Sequence, residues 1–276
     1  MKKQILIIGG GIAGCTAARV LSKNKNLNIT LVEKSDHLGA GVRTFYYGTH
    51  PYTFGPRHFL THNKKVFDYL NQIVPMRSCG NHEFITYVER DNQFYNYPLN
   101  YEDIKKMKDK KKIHQELKKR NIKKIHDSKN MEEYWVNSVG SILYSKVIDK
   151  YNKKMWLVKD NKKIDTFKWS PKGATLKKGP RAAWDKAISA YPIKENGYND
   201  FFDGVLKLNI KIHLKTAIKV KNLKNKEFII KGKRQKFDIV ISSISPDFFH
   251  NYELGELKFI GRDIHNIVFP TEFVFP

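Results

Sequence analysis

Residues 4–41 read QILIIGGGIAGCTAARVLSKNKNLNITLVEKSDHLGAG, and this stretch decides the fold. Residues 5–8 form an uninterrupted apolar run, which is typical of a strand buried inside a parallel sheet. Three glycines follow, and residues 12–22 then have helical composition. NITLVEK predicts a second strand that ends at Glu33. Together these elements predict a βαβ unit of about thirty residues.

The glycines at positions 9, 11 and 14 have the Gly-x-Gly-x-x-Gly spacing of a dinucleotide-binding fingerprint, placed between a strand and a helix as that motif requires. Gly9 permits a tight turn, Gly11 lets the backbone approach a pyrophosphate, and Gly14 allows the helix to pack closely on the strand. The helix N-terminus supplies N–H donors, and Glu33 can accept hydrogen bonds from an unphosphorylated ribose. The predicted contacts are Gly9, Gly11, Ile12, Ala13, Gly14 and Glu33.

The next stretch, EKSDHLGAGVRT, resembles the second glycine motif of glutathione-reductase-like flavoproteins, in which a Gly-Gly pair precedes a Thr. Here Ala40 separates Gly39 from Gly41. The run is still more similar to the His-Ile-Gly-Gly-Asn-Val-Tyr-Thr-like segment of UDP-galactopyranose mutases. This resemblance implies FAD as the cofactor. The contacts that it adds are Lys34, Gly39, Gly41, Val42 and Arg43.

The stretch YTFGPRHFLTHNKKVFDYLN, residues 52–71, places a Gly-Pro-Arg-His-Phe turn before an amphipathic helix. It resembles a Gly-Ala-His-Ile-Phe-His-Thr-like turn that lies beside the flavin ring in the mutase family, and the Gly-Pro-His-Arg-Phe turn of amine-oxidase-like flavoproteins. The resemblance implies that Arg57 and His58 are catalytic, since a basic side chain there stabilises negative charge on reduced flavin. The alternative is that both are ordinary surface residues. Phe59, and Ile218 in LKTAIKV, are further cofactor contacts implied by the resemblance.

Substrate contacts are also implied by the resemblance. FYNYPLN is similar to a Tyr-Asn-Leu-Pro-Phe-Asn-type segment, which makes Asn100 a candidate. VGSILYSKVIDKYNKKMW is similar to the family helix in which Tyr151 would stack on uracil and Trp156 would line the sugar-nucleotide cleft. Spacing alone would make these two aromatic residues part of the core. The family arginine that holds the diphosphate has no counterpart at its place, so Lys168 or Arg181 is expected to substitute.

The resemblance implies an isomerase that interconverts UDP-galactopyranose and UDP-galactofuranose, or a related nucleotide sugar, through an adduct at flavin N5. Its partners would be a UDP-sugar and NAD(P)H or another reductant, and a homo-oligomer is left open. Two alternatives also stay open. One is an FAD-dependent oxidoreductase of amine-oxidase or desaturase type. The other is an inactive or split fragment that needs a partner chain, because the C-terminal part of the family has no counterpart before Pro276.

The sequence predicts an α/β protein: an FAD-binding Rossmann-like βαβ sheet with an inserted helical lobe and an antiparallel β substrate lobe. HEFITYVERDNQFYNYPL predicts a hairpin around Asp91 and Asn92, whereas residues 131–156 predict a helix and 157–200 an irregular stretch. The predicted domains are 1–50 with 200–250 for FAD, 51–100 and 165–199 with 251–276 for the antiparallel sheet, and 101–164 for the helical insertion.

The composition is strongly basic, with 51 Lys+Arg against 27 Asp+Glu and a formal net charge of +24. Nucleic acid and anionic membranes are therefore partners to consider. Lysine rather than arginine supplies most of the charge, which argues against specific nucleic-acid binding. Cys15 and Cys79 have neither a metal-ligand nor a disulfide spacing. This cysteine usage favours a reducing, cytoplasmic setting. No apolar run is long enough to cross a bilayer, so we expect no transmembrane segment.

Overall fold

In a computed structural model of the chain, residues 1–165, 174, 176–184, 186–257 and 267 are described. They form two compact units. The first unit combines Met1–Ser78 with the described residues from Ile188 onward, and the second unit lies within residues 79–187. Each unit has its own apolar core.

The bounds of the elements follow in chain order. The strands are β1 (Lys3–Ile8), β2 (Leu27–Val32), β3 (Phe45–Tyr47), β4 (His50–Tyr52), β5 (Phe59–Thr61), β6 (Met76–Ser78), β7 (Phe84–Val88), β8 (Gln93–Tyr97), β9 (Ile188–Pro192), β10 (Lys211–His213), β11 (Lys219–Asn222), β12 (Glu227–Ile230), β13 (Lys233–Lys236) and β14 (Ile239–Ser242). The α-helices are α1 (Ile12–Leu21), α2 (Lys64–Asn71), α3 (Tyr101–Ile104), α4 (Lys110–Lys119), α5 (Ile122–His126), α6 (Met131–Val139), α7 (Ser141–Leu143), α8 (Asp149–Trp156), α9 (Asn199–Leu206) and α10 (Pro246–Phe249). Short 3-10 helices lie at Ala40–Val42, Glu89–Asp91 and Asn161–Lys163, and a π-helical turn lies at Tyr144–Ile148.

A parallel sheet in the order β10-β2-β1-β14 forms the centre of the first unit. The predicted βαβ unit is confirmed as β1, α1 and β2, and the α/β fold class is confirmed with it. Because the four strands run parallel, their carboxyl ends lie at one edge of the sheet. This edge carries Gly9 after β1 and Glu33 after β2, which is where an open α/β sheet binds its ligand.

The two faces of this sheet are covered by different elements. Side chains alternate along a strand, so Ile5 and Ile7 of β1 pack in one cluster with residues of α1 and α9, whereas Leu6 and Ile8 pack in another with Phe228. Phe228 belongs to an antiparallel sheet in the order β11-β12-β13. Complete burial of one such aromatic side chain contributes roughly 1.5–3 kcal/mol.

A second antiparallel sheet of the first unit has the order β5-β9-β6. Its middle strand, β9, pairs Ala190 with both Phe59 and Ser78. The sequence interpretation of residues 157–200 as irregular was wrong at this strand. The turn of residues 55–58 directly precedes β5, so the pairing of β5 with β9 fixes where that turn ends.

The second unit consists of a β7–β8 hairpin and helices α3 to α8. The predicted hairpin is confirmed, and Asn92 takes the left-handed conformation that its turn requires. Ile104, Met107 and Ile113 are buried in one cluster with hairpin residues Val88 and Tyr95. A sparse apolar stripe in a lysine-rich stretch is therefore enough to anchor these helices.

The helical pattern of residues 131–156 is interrupted in the structure at Gly140. This residue has φ +89°, and a Cβ there would lie 2.3 Å from a carboxylate oxygen of Glu116. The same carboxylate accepts a hydrogen bond from the N–H of Ile142 at 3.1 Å and so caps α7. The sequence predicted one helix because the break depends on a side chain from α4.

The predicted three-part division of the chain stays a prediction. Helices α3 to α8 all lie within the range 101–164 that was assigned to a helical insertion. Of the predicted antiparallel lobe, residues 166–173, 175, 185, 258–266 and 268–276 lie outside the described part of the chain. Among the helices of the described residues, none has both the length and the apolarity that a bilayer crossing requires.

Candidate functional site

The glycine loop between β1 and α1 is packed so tightly against its surroundings that two glycines of the fingerprint, one in the loop and one in α1, leave no room for a side chain. Gly9 has φ +96°, and a Cβ there would lie 2.4 Å from the hydroxyl of Ser243. A Cβ on Gly14 would lie 1.9 Å from the carbonyl oxygen of Gly9. The first turn of α1 therefore rests directly on the loop, as the fingerprint predicts.

The N-terminus of α1 is open. Gly11 is the residue that precedes the helix, and within the described residues no side chain caps it. Ile12 and Ala13 are exposed, and a Cβ on Gly11 would meet only the Cβ of Ala40, at 3.7 Å. The N–H groups of the first helical turn need a partner, and an anion such as a phosphate supplies one. This geometry fits a dinucleotide.

The carboxylate of Glu33 is held beside the glycine loop. One of its oxygens accepts a hydrogen bond from the N–H of Gly10 at 2.6 Å, and the other accepts one from the N–H of Ser35 at 2.7 Å. Each oxygen keeps a further acceptor site for a ribose hydroxyl. Lys34, the next predicted contact, is exposed.

The second glycine segment contacts the glycine loop on one side and the Gly-Pro-Arg-His turn on the other. The N–H of Gly39 donates to the carbonyl of Gly10 at 2.8 Å, and the N–H of Gly55 donates to the carbonyl of Gly41 at 2.5 Å. Gly39 has φ +112°, and a Cβ there would press on the ring of Phe202. The structure thus brings three separately predicted motifs into one continuous backbone surface.

Two side chains from α9 hold this segment, and the sequence interpretation missed both. Asn199 accepts a hydrogen bond from the N–H of Thr44 at 2.9 Å and donates one to the carbonyl of Thr44 at 2.9 Å. Arg43 pairs with Asp203 at 3.2 Å. The hydroxyl of Thr44 is buried and has no partner among the described residues, which is consistent with a ligand beside the segment. Val42 packs at the edge of the first core.

Arg57 is anchored to the turn before α9. Its Nη2 donates to the carbonyls of Lys194 at 2.9 Å and Glu195 at 2.7 Å. The hydroxyl of Tyr198 donates to the carbonyl of Arg57 at 2.8 Å. Burial raises the pKa of Tyr198 to about 12, so this hydroxyl remains a donor at neutral pH. Arg57 is therefore fixed in place, and its catalytic role stays a prediction.

His58 and Phe59 face the sheet that contains β9. The Nε2 of His58 lies 2.8 Å from the hydroxyl of Ser189, and its ring stacks on Tyr191 with centroids 5.0 Å apart. Phe59 packs in the first core beside Phe67. The structure thus gives His58 and Phe59 packing roles, while their predicted contacts with flavin stay predictions.

Ile218 lines a cavity of about 430 Å³ in the first unit, together with Ile244 and Phe248. Ile244 follows β14 and lies near Gly9, since a Cβ on Gly9 would be 3.4 Å from its side chain. The predicted cofactor contact Ile218 thus shares a cavity with a residue, Ile244, that lies beside Gly9.

The second unit contains an aromatic cavity of about 330 Å³. Tyr151 and Val147 line it from the helical side, and Phe84, Ile85, Thr86 and Tyr97 line it from the hairpin. Tyr151 is 58% exposed, which leaves its ring face open to a ligand. An open aromatic wall of this kind offers a stacking surface to a flat ring.

Of the other predicted substrate residues, the three that the structure describes, Asn100, Trp156 and Arg181, do not line this cavity. Asn100 is buried and caps α3, accepting a hydrogen bond from the N–H of Glu102 at 2.9 Å. Arg181 forms an ion pair with Asp103 at 3.2 Å. Trp156 packs at the edge of a separate small core, and Lys168 lies outside the described residues. The substrate roles of these four residues stay predictions.

Two family models match the chain. An NAD(P)-binding Rossmann-like domain matches residues 7–73, and a UDP-galactopyranose mutase model matches residues 146–275. A curated dTDP-fucopyranose mutase from Escherichia coli is 26% identical over 94% of this chain. The chain is therefore similar in sequence to UDP-galactopyranose mutases. A probable UDP-galactopyranose mutase from Klebsiella pneumoniae is 22% identical over 98% of this chain, and each curated relative is covered over 68% of its own length.

A crystal structure of reduced UDP-galactopyranose mutase has the same fold, with a TM-score of 0.69 and 20% identity. The match covers 91% of this chain and 57% of that one, so the present chain spans less than two thirds of the solved mutase. These comparisons confirm the predicted fold and the family resemblance. The match of the Rossmann-like model to residues 7–73 confirms the dinucleotide-binding domain.

Some residues of the site could have been found from the sequence. Phe84 and Tyr97 are paired across the predicted hairpin, so they share the face that carries the cavity. Asn199 gave no comparable signal, because its role depends on a backbone that lies 155 residues away in the chain.

Proposed function

We propose that the first unit binds FAD. The observation that carries this proposal is the continuous backbone surface formed by the glycine loop, the second glycine segment and the turn at Gly55. The open N-terminus of α1 would take the phosphates, and Glu33 would accept hydrogen bonds from the ribose. The buried, unpartnered hydroxyl of Thr44 would donate to the cofactor further along this surface. These residues fit FAD.

We further propose that the chain is a nucleotide-sugar mutase, which interconverts the pyranose and furanose forms of UDP-galactose or of a similar nucleotide hexose. When bound and reduced, the flavin supplies the nucleophile for the anomeric carbon. The reaction is an isomerisation with no net oxidation, so NAD(P)H or another reductant is needed only to keep the cofactor reduced. Both curated relatives are named as mutases, which supports this proposal over an amine oxidase or a desaturase. These substrates and reductants fit a cytoplasmic location.

The second unit would bind the nucleoside base of the substrate. Tyr151 offers an open ring face, while Phe84 and Tyr97 supply the opposite wall. Burial raises the pKa of Tyr97, with a smaller contribution from Tyr151, so the wall stays uncharged. An apolar aromatic slot binds a pyrimidine and excludes water from its faces.

The proposal is tested with the flavin-loaded, reduced protein and two furanose substrates, UDP-galactofuranose and dTDP-fucofuranose. We expect conversion of at least one to its pyranose. In the same assay, Tyr151→Ala should raise the KM by about 5- to 150-fold, since a base–aromatic stack is worth about 1–3 kcal/mol.

Tyr87→Ala is the matched control, because Tyr87 is also exposed on the hairpin but does not line the cavity. Its KM should equal that of the wild-type protein. Oxidation of an amine with no sugar conversion would refute the mutase assignment. Equal KM values for Tyr151→Ala and wild type would refute the base site.

A further inference from the structure

A buried ion pair joins the two walls of the aromatic cavity. The side chain of Lys146 is fully buried, and its Nζ lies 2.6 Å and 2.5 Å from the two carboxylate oxygens of Asp91. Asp91 is itself 7% exposed. The Nζ also lies 3.0 Å from Asp109 before α4, and the hydroxyl of Tyr95 donates to Asp91 at 2.9 Å. The ammonium of Lys146 thus lies between two carboxylates, and Asp91 accepts hydrogen bonds from both Lys146 and Tyr95.

The surroundings of Asp91 favour its charged form. Burial raises the pKa of Asp91, but the hydrogen bonds from Lys146 and Tyr95, with the positive charge of Lys146, outweigh it and hold the pKa below its usual value. A buried pair of this kind loses much of its attraction to desolvation, and apolar residues of similar size often give equal or greater stability. A contribution to stability is therefore a weak explanation for the presence of this pair.

Its location gives a better reason. Lys146 lies in the π-helical turn Tyr144–Ile148, and the next residue, Val147, lines the cavity, as does Tyr151 one helical turn later. Asp91 lies in the connection between β7 and β8, the strands that supply Phe84 and the rest of the hairpin wall. The pair therefore bridges the two elements whose separation sets the width of the cavity. π-helical turns often occur at functional sites, because the added residue redirects the side chains that follow.

We propose that the Lys146–Asp91 pair is a positioning device that sets the spacing between the Tyr151 wall and the hairpin wall for a flat nucleobase. This inference rests on the proposed function, in which the cavity takes the base of a nucleotide sugar. Moving the buried ammonium of Lys146 away from Asp91 would separate two charges in a desolvated place, whereas apolar contacts at the same place would tolerate sliding. Loss of the pair should leave the unit folded but let the hairpin move relative to Tyr151.

The test compares the double variant Lys146→Met/Asp91→Asn with the wild-type chain. Methionine is an apolar side chain of similar length, and asparagine can still accept the hydrogen bond of Tyr95, so no charge is left buried without a partner. UDP and dTDP are the probes, and binding is followed by quenching of intrinsic fluorescence. We expect binding to weaken at least tenfold with a Tm close to that of wild type, and hydrogen exchange to speed up in residues 84–97. The single variant Lys146→Arg keeps the positive charge, so it should bind the nucleotides more tightly than the double variant and less tightly than wild type.

The exposed pair of Lys105 and Glu102 in the same unit, 2.8 Å apart, supplies the control. Lys105→Met/Glu102→Gln should change neither the affinity nor the exchange. If the Lys146→Met/Asp91→Asn variant binds as tightly as wild type, the positioning role is overturned while the proposed function stands. The same conclusion follows if the variant is partly unfolded but its folded fraction keeps the wild-type affinity. If the wild-type chain binds neither nucleotide, the proposed base site fails and the positioning role fails with it.

Discussion

Two glycines of the fingerprint should respond in opposite ways to the same substitution. A methyl group on Gly14 would lie 1.9 Å from the carbonyl oxygen of Gly9, whereas one on Gly11 would meet only Ala40 at 3.7 Å. Gly11 has φ −72° and ψ −173°, a conformation that any residue adopts. Gly14→Ala therefore perturbs packing, and Gly11→Ala perturbs only the space in front of the helix.

The magnitudes follow from these contacts. The Gly14 methyl needs about 1.5 Å more room than it has, and its neighbour is backbone that cannot rotate away. The higher helix propensity of alanine relative to glycine stabilises the variant by about 1 kcal/mol. Overpacking that moves a backbone costs about 3 kcal/mol or more. We expect Gly14→Ala to lose about 2–3 kcal/mol, or about 5–10 °C in Tm. Gly11→Ala should stay within about 0.5 kcal/mol of wild type.

The assay measures thermal and urea unfolding of the flavin-free proteins, followed by FAD titration of each folded variant. Gly11→Ala should keep its Tm but bind FAD at least tenfold more weakly, because its methyl occupies the space where the phosphates approach the backbone. A Gly11→Ala protein with unchanged FAD affinity, or a Gly14→Ala protein as stable as wild type, would refute this division of roles.

Three further predictions concern single residues. Burial, and to a smaller extent the charges of nearby lysines, lowers the pKa of His213 below its ordinary value of 6.5. As the pH falls, His213 is therefore protonated in the unfolded chain at a higher pH than in the folded chain. Stability to urea should therefore fall from pH 7.5 to pH 5 as the pH drops below the unfolded value, and His213→Gln should flatten that profile. Asn199→Ala removes two buried hydrogen bonds to Thr44 and should cost about 2–3 kcal/mol in urea unfolding and weaken FAD binding in titrations. Gly140→Ala forces a methyl towards Glu116 at φ +89° and should lower stability to urea by more than about 1 kcal/mol.

The sequence predicts best where the signal is local. The apolar run of β1, the glycine spacing and Glu33 all lie within one βαβ unit, and the structure assembles them as expected. The hairpin β7–β8 was also predictable, because alternation on both sides of Asn92 specifies it without help from elsewhere.

Elements whose partners are distant in the chain were not predictable in this way. Strand β9 is short and carries Ser189 and Tyr191 among its few residues, and it is fixed by pairing with Phe59 and Met76 more than a hundred positions earlier. The contacts of Arg57 and His58 could not be predicted for the same reason. Their partners lie in residues 189–195, within the stretch that the sequence indicated to be irregular.

The aromatic cavity was partly predictable from the sequence. Tyr151 was predicted from the family resemblance, and the paired Phe84 and Tyr97 follow from the hairpin register. The break at Gly140 and the π-helical turn after it could not be read from residues whose composition is helical throughout. The pair between Lys146 and Asp91 depends on that turn.

The most direct test of the account is the FAD content of the purified chain after incubation with excess FAD and removal of the unbound cofactor. We predict one FAD per chain, detected by the absorbance of oxidised flavin and lost when Gly11 is replaced by alanine. A colourless wild-type protein that takes up no flavin would contradict the central claim that the glycine loop, Glu33 and the second glycine segment form a flavin dinucleotide site.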